Sequence, residues 1–384
     1  LFYETLNDSM YAQYLHLQKR PERHLLGNHY FENLKTVLLG ALYFQEEETY
    51  GQYKKLFTAE IREQILPDGV HYERSLMYHK IILEDCMRVA KAVYKKDSGL
   101  YQKLYGTMQK MTNALWSLEQ GMGHTLLFND AGDNVARPLI CLMEALEKEF
   151  AICPDAALKR SFPDAGYYCL EEGGIKIVMD AGQIAPDYMP GHSHCDGLSF
   201  ELARQGRPVF VNSGTGQYQG RLRPWFRSTA AHNTIVVDEE EQSECWGEHR
   251  TGRRIKDVSG GCKGRWIYGR LTTCTGKRIG RAIGLKGNTV CIKDRAMGQV
   301  KAYFHLAPEY VYSLQEQRIA VKEADQGRTV CELYVPDTDQ VTVYTEGDIC
   351  SYAPEFGRVE KIQVLELAWN QTEEEHKIRI KFTI

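Results

Sequence analysis

The sequence predicts a mixed α+β chain of more than one domain, a helical array followed by a large antiparallel β-sandwich. Three observations predict it. Apolar residues recur at helical spacing through about the first 150 residues. From Gly166 onward the period changes to two, with many short strands and no helices between them. Between these regions Cys153-Pro154-Asp155 and Phe162-Pro163-Asp164 break both patterns. The helical part is therefore expected at 1–155 and the strand part at 160–384.

The helices follow in order. Leu1–Leu17 carries Leu6, Met10, Tyr14 and Leu17 on one face, and Asn28–Phe44 carries Phe31, Leu34, Leu38 and Leu42. Tyr50–Leu66 is stopped by Pro67-Asp68-Gly69. Ser75–Val93 starts with a residue suited to N-capping, and Tyr101–Leu118 and Pro138–Phe150 complete the set. Long helices on short loops predict antiparallel pairs stacked in an array or toroid, and no fixed-period repeat marks a solenoid.

Strands are expected at Ile175–Met179, Pro208–Val211, Thr234–Val237, Asn288–Lys293, Lys301–His305, Thr329–Val335, Gln340–Tyr344, Lys361–Trp369 and Lys377–Ile384. The last, KIRIKFTI, alternates strictly, as a half-buried antiparallel strand does.

Composition excludes several classes. A formal net charge of −4 over 384 residues offers no basic field for nucleic acid, and no nucleic-acid-binding motif occurs. The longest apolar run, Val37–Phe44, is too short to span a bilayer. Eleven cysteines stand singly without a CxxC pair, which argues against a disulfide framework or a cysteine-based zinc ribbon. Free thiols favour a reducing compartment. The chain starts at Leu1 without an initiator Met, so a removed signal peptide would instead place it in the periplasm or outside the cell.

Chemistry concentrates in a few stretches. Gly191-His192-Ser193-His194-Cys195-Asp196 opens a segment that runs to Asn233. On a strand His192 and His194 would share a face, and His232 lies close before the strand at Thr234. Three such histidines suit either zinc or a hydrogen-bonded structural role, and Asn212 stands where a carboxylate would have favoured the metal. Arg221, Arg223 and Arg227 surround Trp225 and Phe226, and Arg250, Arg253 and Arg254 follow Trp246. Arginine beside aromatic rings suits carboxylate or sulfate recognition with stacking on sugar faces. In the helical part, Asn28-His29 stands at a helix start, which favours negative charge. Tyr72, Arg74, Tyr78 and two histidines lie within nine residues, His71 to His79.

These segments carry a resemblance. HSHCDGLSFEL, GRPVFVNSGTGQY and RPWFRSTAAHNTIVVD resemble the central signature of the heparinase II/III-like polysaccharide lyases. GNHYFENLKTVLLGALYF, LPDGVHYERSLMYHKIILED, LFNDAGD and CWGEHRTGRR are similar to further segments of that family, in family order over roughly residues 20–255. The resemblance implies an incomplete N-terminal (α/α) toroid followed by an antiparallel β-sandwich. It implies β-elimination across a 4-linked uronic acid, with an anionic polysaccharide or oligosaccharide as partner.

Such an enzyme must stabilise the charge growing on the carboxylate, remove the C5 proton and protonate the leaving O4. The resemblance assigns the first task to Asn28 with His29 or His192. It assigns proton transfer to Tyr78, with Tyr72 as the competing phenol and His192 as a base on the opposite ring face. Tyr72, Arg74, Arg223, Trp225, Arg227 and Arg250 are the candidate substrate contacts. The family's metal position falls on His194, Asn212 and His232. It would hold one structural divalent ion, most naturally zinc, and Asn212 departs there from the usual Asp while Cys195 offers a substitute thiolate. A homodimer is compatible with this reading.

Two other functions fit the residues. A non-catalytic carbohydrate-binding or polysaccharide-assembly protein would keep the fold without turnover. A glycoside hydrolase would need two carboxylates flanking the bond, drawn from Asp68, Glu73, Asp130 and Asp133.

Overall fold

The computed structural model of the chain describes residues 2–315, 318–370 and 375–383. Leu1 and Ile384, at the outer ends of the first expected helix and the last expected strand, lie outside the described residues. Helices come first and antiparallel sheets follow. No helix among the described residues is long and apolar enough to cross a membrane.

The helical part comprises α1 (Phe2–Lys19), α2 (Gly27–Phe44), α3 (Glu47–Gln64), α4 (Leu76–Val93), α5 (Ser98–Glu119) and α6 (Leu139–Phe150). Helix α2 buries Phe31, Leu34, Val37, Leu38 and Ala41, and its Phe31 ring meets Phe57 of α3 at 4.8 Å. Each such side chain contributes roughly 1.5–3 kcal/mol by leaving water. Asp97 caps α5 by accepting from the Leu100 N–H at 2.9 Å. Ser75 caps α4, its hydroxyl accepting from the Tyr78 N–H at 3.4 Å and donating to the Asp130 carbonyl at 2.7 Å.

Asn28, expected as a helix-capping residue, lies one residue inside α2 instead. The turn before it is left-handed, with φ of 57° at Leu26 and 56° at Gly27. A Cβ on Gly27 would sit 2.8 Å from Glu73 Oε1, so glycine lets that carboxylate close on the helix N-terminus. There Glu73 Oε1 accepts from the Asn28 N–H at 3.1 Å.

A five-stranded sheet runs in chain order through β1 (Ser161–Phe162), β2 (Tyr167–Glu172), β3 (Ile175–Asp180), β4 (Phe200–Arg204) and β5 (Arg207–Phe210). An eight-stranded sheet orders Tyr310–Gln315, Arg318–Glu323, Thr329–Tyr334, Glu375–Phe382, Thr289–Ala296, Arg278–Lys286, Trp266–Thr272 and Lys256–Lys263. The C-terminal strand thus sits mid-sheet, Ile380 pairing with both Val290 and Leu333. A four-stranded sheet orders Gln340–Tyr344, Val364–Trp369, Val300–His305 and Ile235–Val237.

Several strands depart from the pattern expected. The segment 361–369 is divided, Lys361 ending one strand and Val364 starting another. The pair Trp266–Thr272 and Arg278–Lys286 is not legible by alternation because Gly280 and Gly284 weaken the signal. Gly284 faces Trp266 across the ladder, and a Cβ there would lie 2.8 Å from the indole. The missing side chain is what lets the ring lie across the sheet.

The two apolar cores interlock. The core of the sheets takes in Met77 and Tyr78 from α4 and Leu127 and Ala131 from the loop after α5. The core of the helices takes in Phe162, Tyr167 and Val178 from the first sheet. The first turn of α4 is therefore held from both sides, and the candidate site is built on it.

Candidate active site

His192 lies on an irregular turn rather than a strand, so His192 and His194 do not share a face. His192 points to the helices. Its Nδ1 lies 2.5 Å from Glu73 Oε2 and its Nε2 lies 3.2 Å from the Tyr78 hydroxyl. The Tyr78 and His192 rings stack at 4.3 Å and 9°. The Tyr78 hydroxyl also lies 2.6 Å from the hydroxyl of Tyr218. Through Glu73 the N-terminus of α2, with Asn28, joins the same group. The Asn28 side-chain amide has no hydrogen-bond partner among the described residues, which leaves it available to a ligand.

Burial disfavours the charged forms of both Glu73 and His192, yet each overrides that cost in its partner. The His192 pKa is raised by the Glu73 carboxylate and the Glu73 pKa is lowered by His192, so the two form an ion pair. Burial, followed by the neighbouring Tyr218, pushes the Tyr78 phenol well above its ordinary value, and burial does the same to Tyr218. The centre is a phenol beside a histidine that Glu73 biases toward its charged form.

The pair fixes a pH dependence. The raised His192 pKa contributes stability that is present below the ordinary histidine value of 6.5 and is lost as pH rises through the folded value. The lowered Glu73 pKa contributes stability present above the ordinary value of 4.5 and lost as pH falls through the folded one. Urea unfolding at a series of pH values is expected to show the alkaline loss in the wild type and a weakened one in Glu73→Gln. An unchanged alkaline limb in Glu73→Gln removes the ion pair as its cause.

A second network backs the first. Asp130, fully buried, pairs bidentately with Arg223 (2.8 Å at Oδ2–Nη2) and accepts from Thr215 at 3.1 Å. His194 Nε2 lies 2.8 Å from the same carboxylate. Burial raises the Asp130 pKa, but Arg223 and His194 together outweigh it and hold the carboxyl far below its usual range. The Arg223 guanidinium stands 5.3 Å from the centroid of the Tyr218 ring, so this network braces the phenol that touches Tyr78.

The structure redirects several expected residues. Arg74 is buried and donates from Nε to Ala165 O at 2.9 Å, tying the helical part to the first hairpin. Arg223 is consumed by Asp130, and Arg227 donates to Ser193 O at 3.0 Å and to the Thr251 hydroxyl at 2.9 Å. All three are buried and bonded within the fold, Arg223 to a carboxylate and Arg74 and Arg227 to carbonyl and hydroxyl oxygens, with Nη1 of Arg74 and of Arg227 lacking a protein partner. Trp225 turns its indole N–H toward Ser351 O at 3.4 Å. Tyr72 is buried between His71 and Tyr188, so Tyr78 is the phenol that meets His192. His29 is half exposed and faces Glu22 at 3.5 Å, outside the cluster. Arg250 is exposed on a two-residue strand opposite Trp246.

Of the expected metal set, two residues turn ring nitrogens toward each other. His194 Nδ1 and His232 Nε2 lie 3.2 Å apart, and with each ring's single N–H committed elsewhere both nitrogens present lone pairs. Their other nitrogens are taken by Asp130 and by Ser228 O at 2.8 Å. Asn212 is no third ligand, since its Oδ1 accepts from the Asn233 N–H at 3.0 Å. Cys195 turns away toward Ser243 O at 3.2 Å. No group of three His, Cys, Asp or Glu side chains suited to a metal occurs among the described residues. Treatment with a chelator is expected to leave the thermal midpoint unchanged; a fall restored by added zinc would contradict this.

The hydrolase carboxylates are likewise committed. Asp68 accepts from Val70 and Ala165 N–H groups, Asp133 from Thr125 N–H, and Asp130 and Glu73 are spent as described. Sequence reasoning did not assign roles to Tyr218 and His249, whose rings lie 5.4 Å apart beside His192. Tyr218 ends the GTGQY segment, a signal that was present but carried no partner.

A phenol, an imidazole paired with a carboxylate and a helix N-terminus thus meet in one cluster. Comparison with known proteins shows which family has this chain as a member. Residues 4–151 match the model of the heparinase II/III N-terminus and residues 154–381 match that of the heparinase II/III-like C-terminal region. The chain belongs to the heparinase II/III-like family. It is 23% identical over 258 residues to the heparin-sulfate lyase of Pedobacter heparinus, covering 56% of this chain and 36% of that protein. It is 26% identical over 242 residues to the heparin-sulfate lyase of Bacteroides thetaiotaomicron, covering 50% and 34%. The crystal structure of a heparan sulfate lyase from Pedobacter heparinus superposes with a TM-score of 0.73 at 16% identity, covering 99% of this chain and 63% of that one. The matched parts thus span about a third of the curated relatives and under two thirds of the solved structure.

Proposed function

We propose that the chain carries the acid–base centre of a polysaccharide lyase acting on a uronic-acid-containing anionic polysaccharide by β-elimination. The observation that carries this is the convergence of Asn28, Glu73 and Tyr78 with His192, which lies more than a hundred residues later in the chain. Asn28 and the His192 imidazolium face the substrate carboxylate and take up charge as the C5 proton leaves. Glu73 holds His192 charged and correctly turned. The Tyr78 phenol first gives its proton to solvent, the nearby imidazolium lowering the cost of the phenolate; the phenolate then removes the C5 proton, and the phenol so formed protonates the departing O4. One C5–H bond and the C4–O4 bond break, and a C4–C5 double bond forms.

The same reading treats residues 1–155 as part of an (α/α) toroid and 160–384 as a β-sandwich. The helix-then-sheet order and the likeness to heparinase structures support it. The test is ultraviolet absorbance of the unsaturated product over a panel of polyuronates and glycosaminoglycans. A rise on at least one polymer is expected. A folded protein that binds but yields no unsaturated product would instead favour a carbohydrate-binding role.

A further inference from the structure

Cys195 and Cys245 place their sulfurs 3.6 Å apart, on segments fifty residues distant in sequence. Cys195 is buried and follows the turn that carries His192, while Cys245 is partly exposed and opens the hairpin that carries His249. Both thiols are positioned by neighbours. The Cys195 N–H donates to Arg227 O at 3.0 Å, and its one S–H has two acceptors in reach, Ser243 O at 3.2 Å and the Cys245 sulfur. Cys245 lies 3.7 Å from the Thr251 hydroxyl, which accepts from Arg227 at 2.9 Å. Arg227 therefore binds the backbone of one segment and the side chain of the other, and holds the two sulfurs in register.

We infer that Cys195 and Cys245 form a dithiol modification site that exchanges with low-molecular-weight disulfides to give a reversible intramolecular disulfide. Contact at 3.6 Å exceeds a bonded S–S distance of about 2.05 Å, so the sulfurs close by about 1.5 Å as the bond forms. Cys245 is the entering nucleophile, being the more exposed, and the hydrogen bond from Cys195 lowers its pKa to about 7. Its thiolate attacks the small disulfide, forming a mixed disulfide and releasing one thiolate. Cys195 then loses its proton to solvent and attacks the Cys245 sulfur, expelling the second thiolate. Two protein thiols are oxidised and one small disulfide is reduced to two thiols. The bond would tie the His192 turn to the His249 hairpin, so it joins the two strands of chain flanking the candidate site. The inference stands independently of the lyase reading.

The test uses the folded chain incubated with oxidised glutathione, followed by non-reducing peptide mapping. The expected result is a cross-linked peptide pair containing Cys195 and Cys245, two hydrogens lighter than the reduced pair and reopened by dithiothreitol. Cys195→Ser is expected to trap glutathione on Cys245, and Cys245→Ser to leave Cys195 as a free thiol. Stable glutathione on Cys245 with Cys195 still free in the wild type would overturn the inference, as would no reaction at either residue in a protein whose exposed Cys141 and Cys153 are modified.

Discussion

Tyr78→Phe is expected to lower the rate of β-elimination by about 10²–10⁴-fold, the usual worth of a positioned general acid–base group. The substitution removes one oxygen from a side chain already buried in the core of the sheets, and the ring keeps its stack on His192 at 4.3 Å. Stability should therefore change little, since the lost hydroxyl contacts Tyr218 and His192 contribute only about 1 kcal/mol each. Steady-state kinetics should place most of the loss in kcat, because the hydroxyl acts on the reacting proton rather than on remote binding. Activity within tenfold of wild type would transfer the proton step to another group, with Tyr218 first in line.

Asp130→Asn is expected to cost about 3–5 kcal/mol of folding stability, the loss typical of a buried ion pair left with one charge. Asp130 and Arg223 are both essentially inaccessible, and the same carboxylate also meets His194 and Thr215. Removing its charge strands a buried guanidinium and loosens the brace under Tyr218. The contrast is Arg221→Ala. Arg221 pairs with Asp348 at the surface, with side chains 73% and 47% exposed, so screening by water should hold its effect to about 1 kcal/mol or less. Urea denaturation of the two variants measures the difference. Equal losses would mean that the Asp130 network carries no more than a surface pair.

The candidate site was half legible in the sequence. The family resemblance names Tyr78, His192 and Asn28, and the structure brings them together. Glu73 was visible only as one of four carboxylates, because nothing in HYERS states that its partner lies 119 residues later. The burial of Arg74, Arg223 and Arg227 was hidden for a related reason. Arginine next to tryptophan looks the same in sequence whether it faces a polymer or a buried aspartate.

By itself the sequence determined the succession of helices and then strands. Period 3.6 and period 2 are local properties, set by which face of each segment can leave water. It also determined the family, through motifs in order. Only the tertiary structure decided which phenol meets the imidazole, that His192 and His194 face opposite networks, and that Asn212 bonds the Asn233 backbone while His194 and His232 face each other. These are choices among pairings of buried polar groups, and a buried polar group is satisfied by whatever the fold brings within about 3 Å of it. That distance is crossed by packing, and no periodicity along the chain records it.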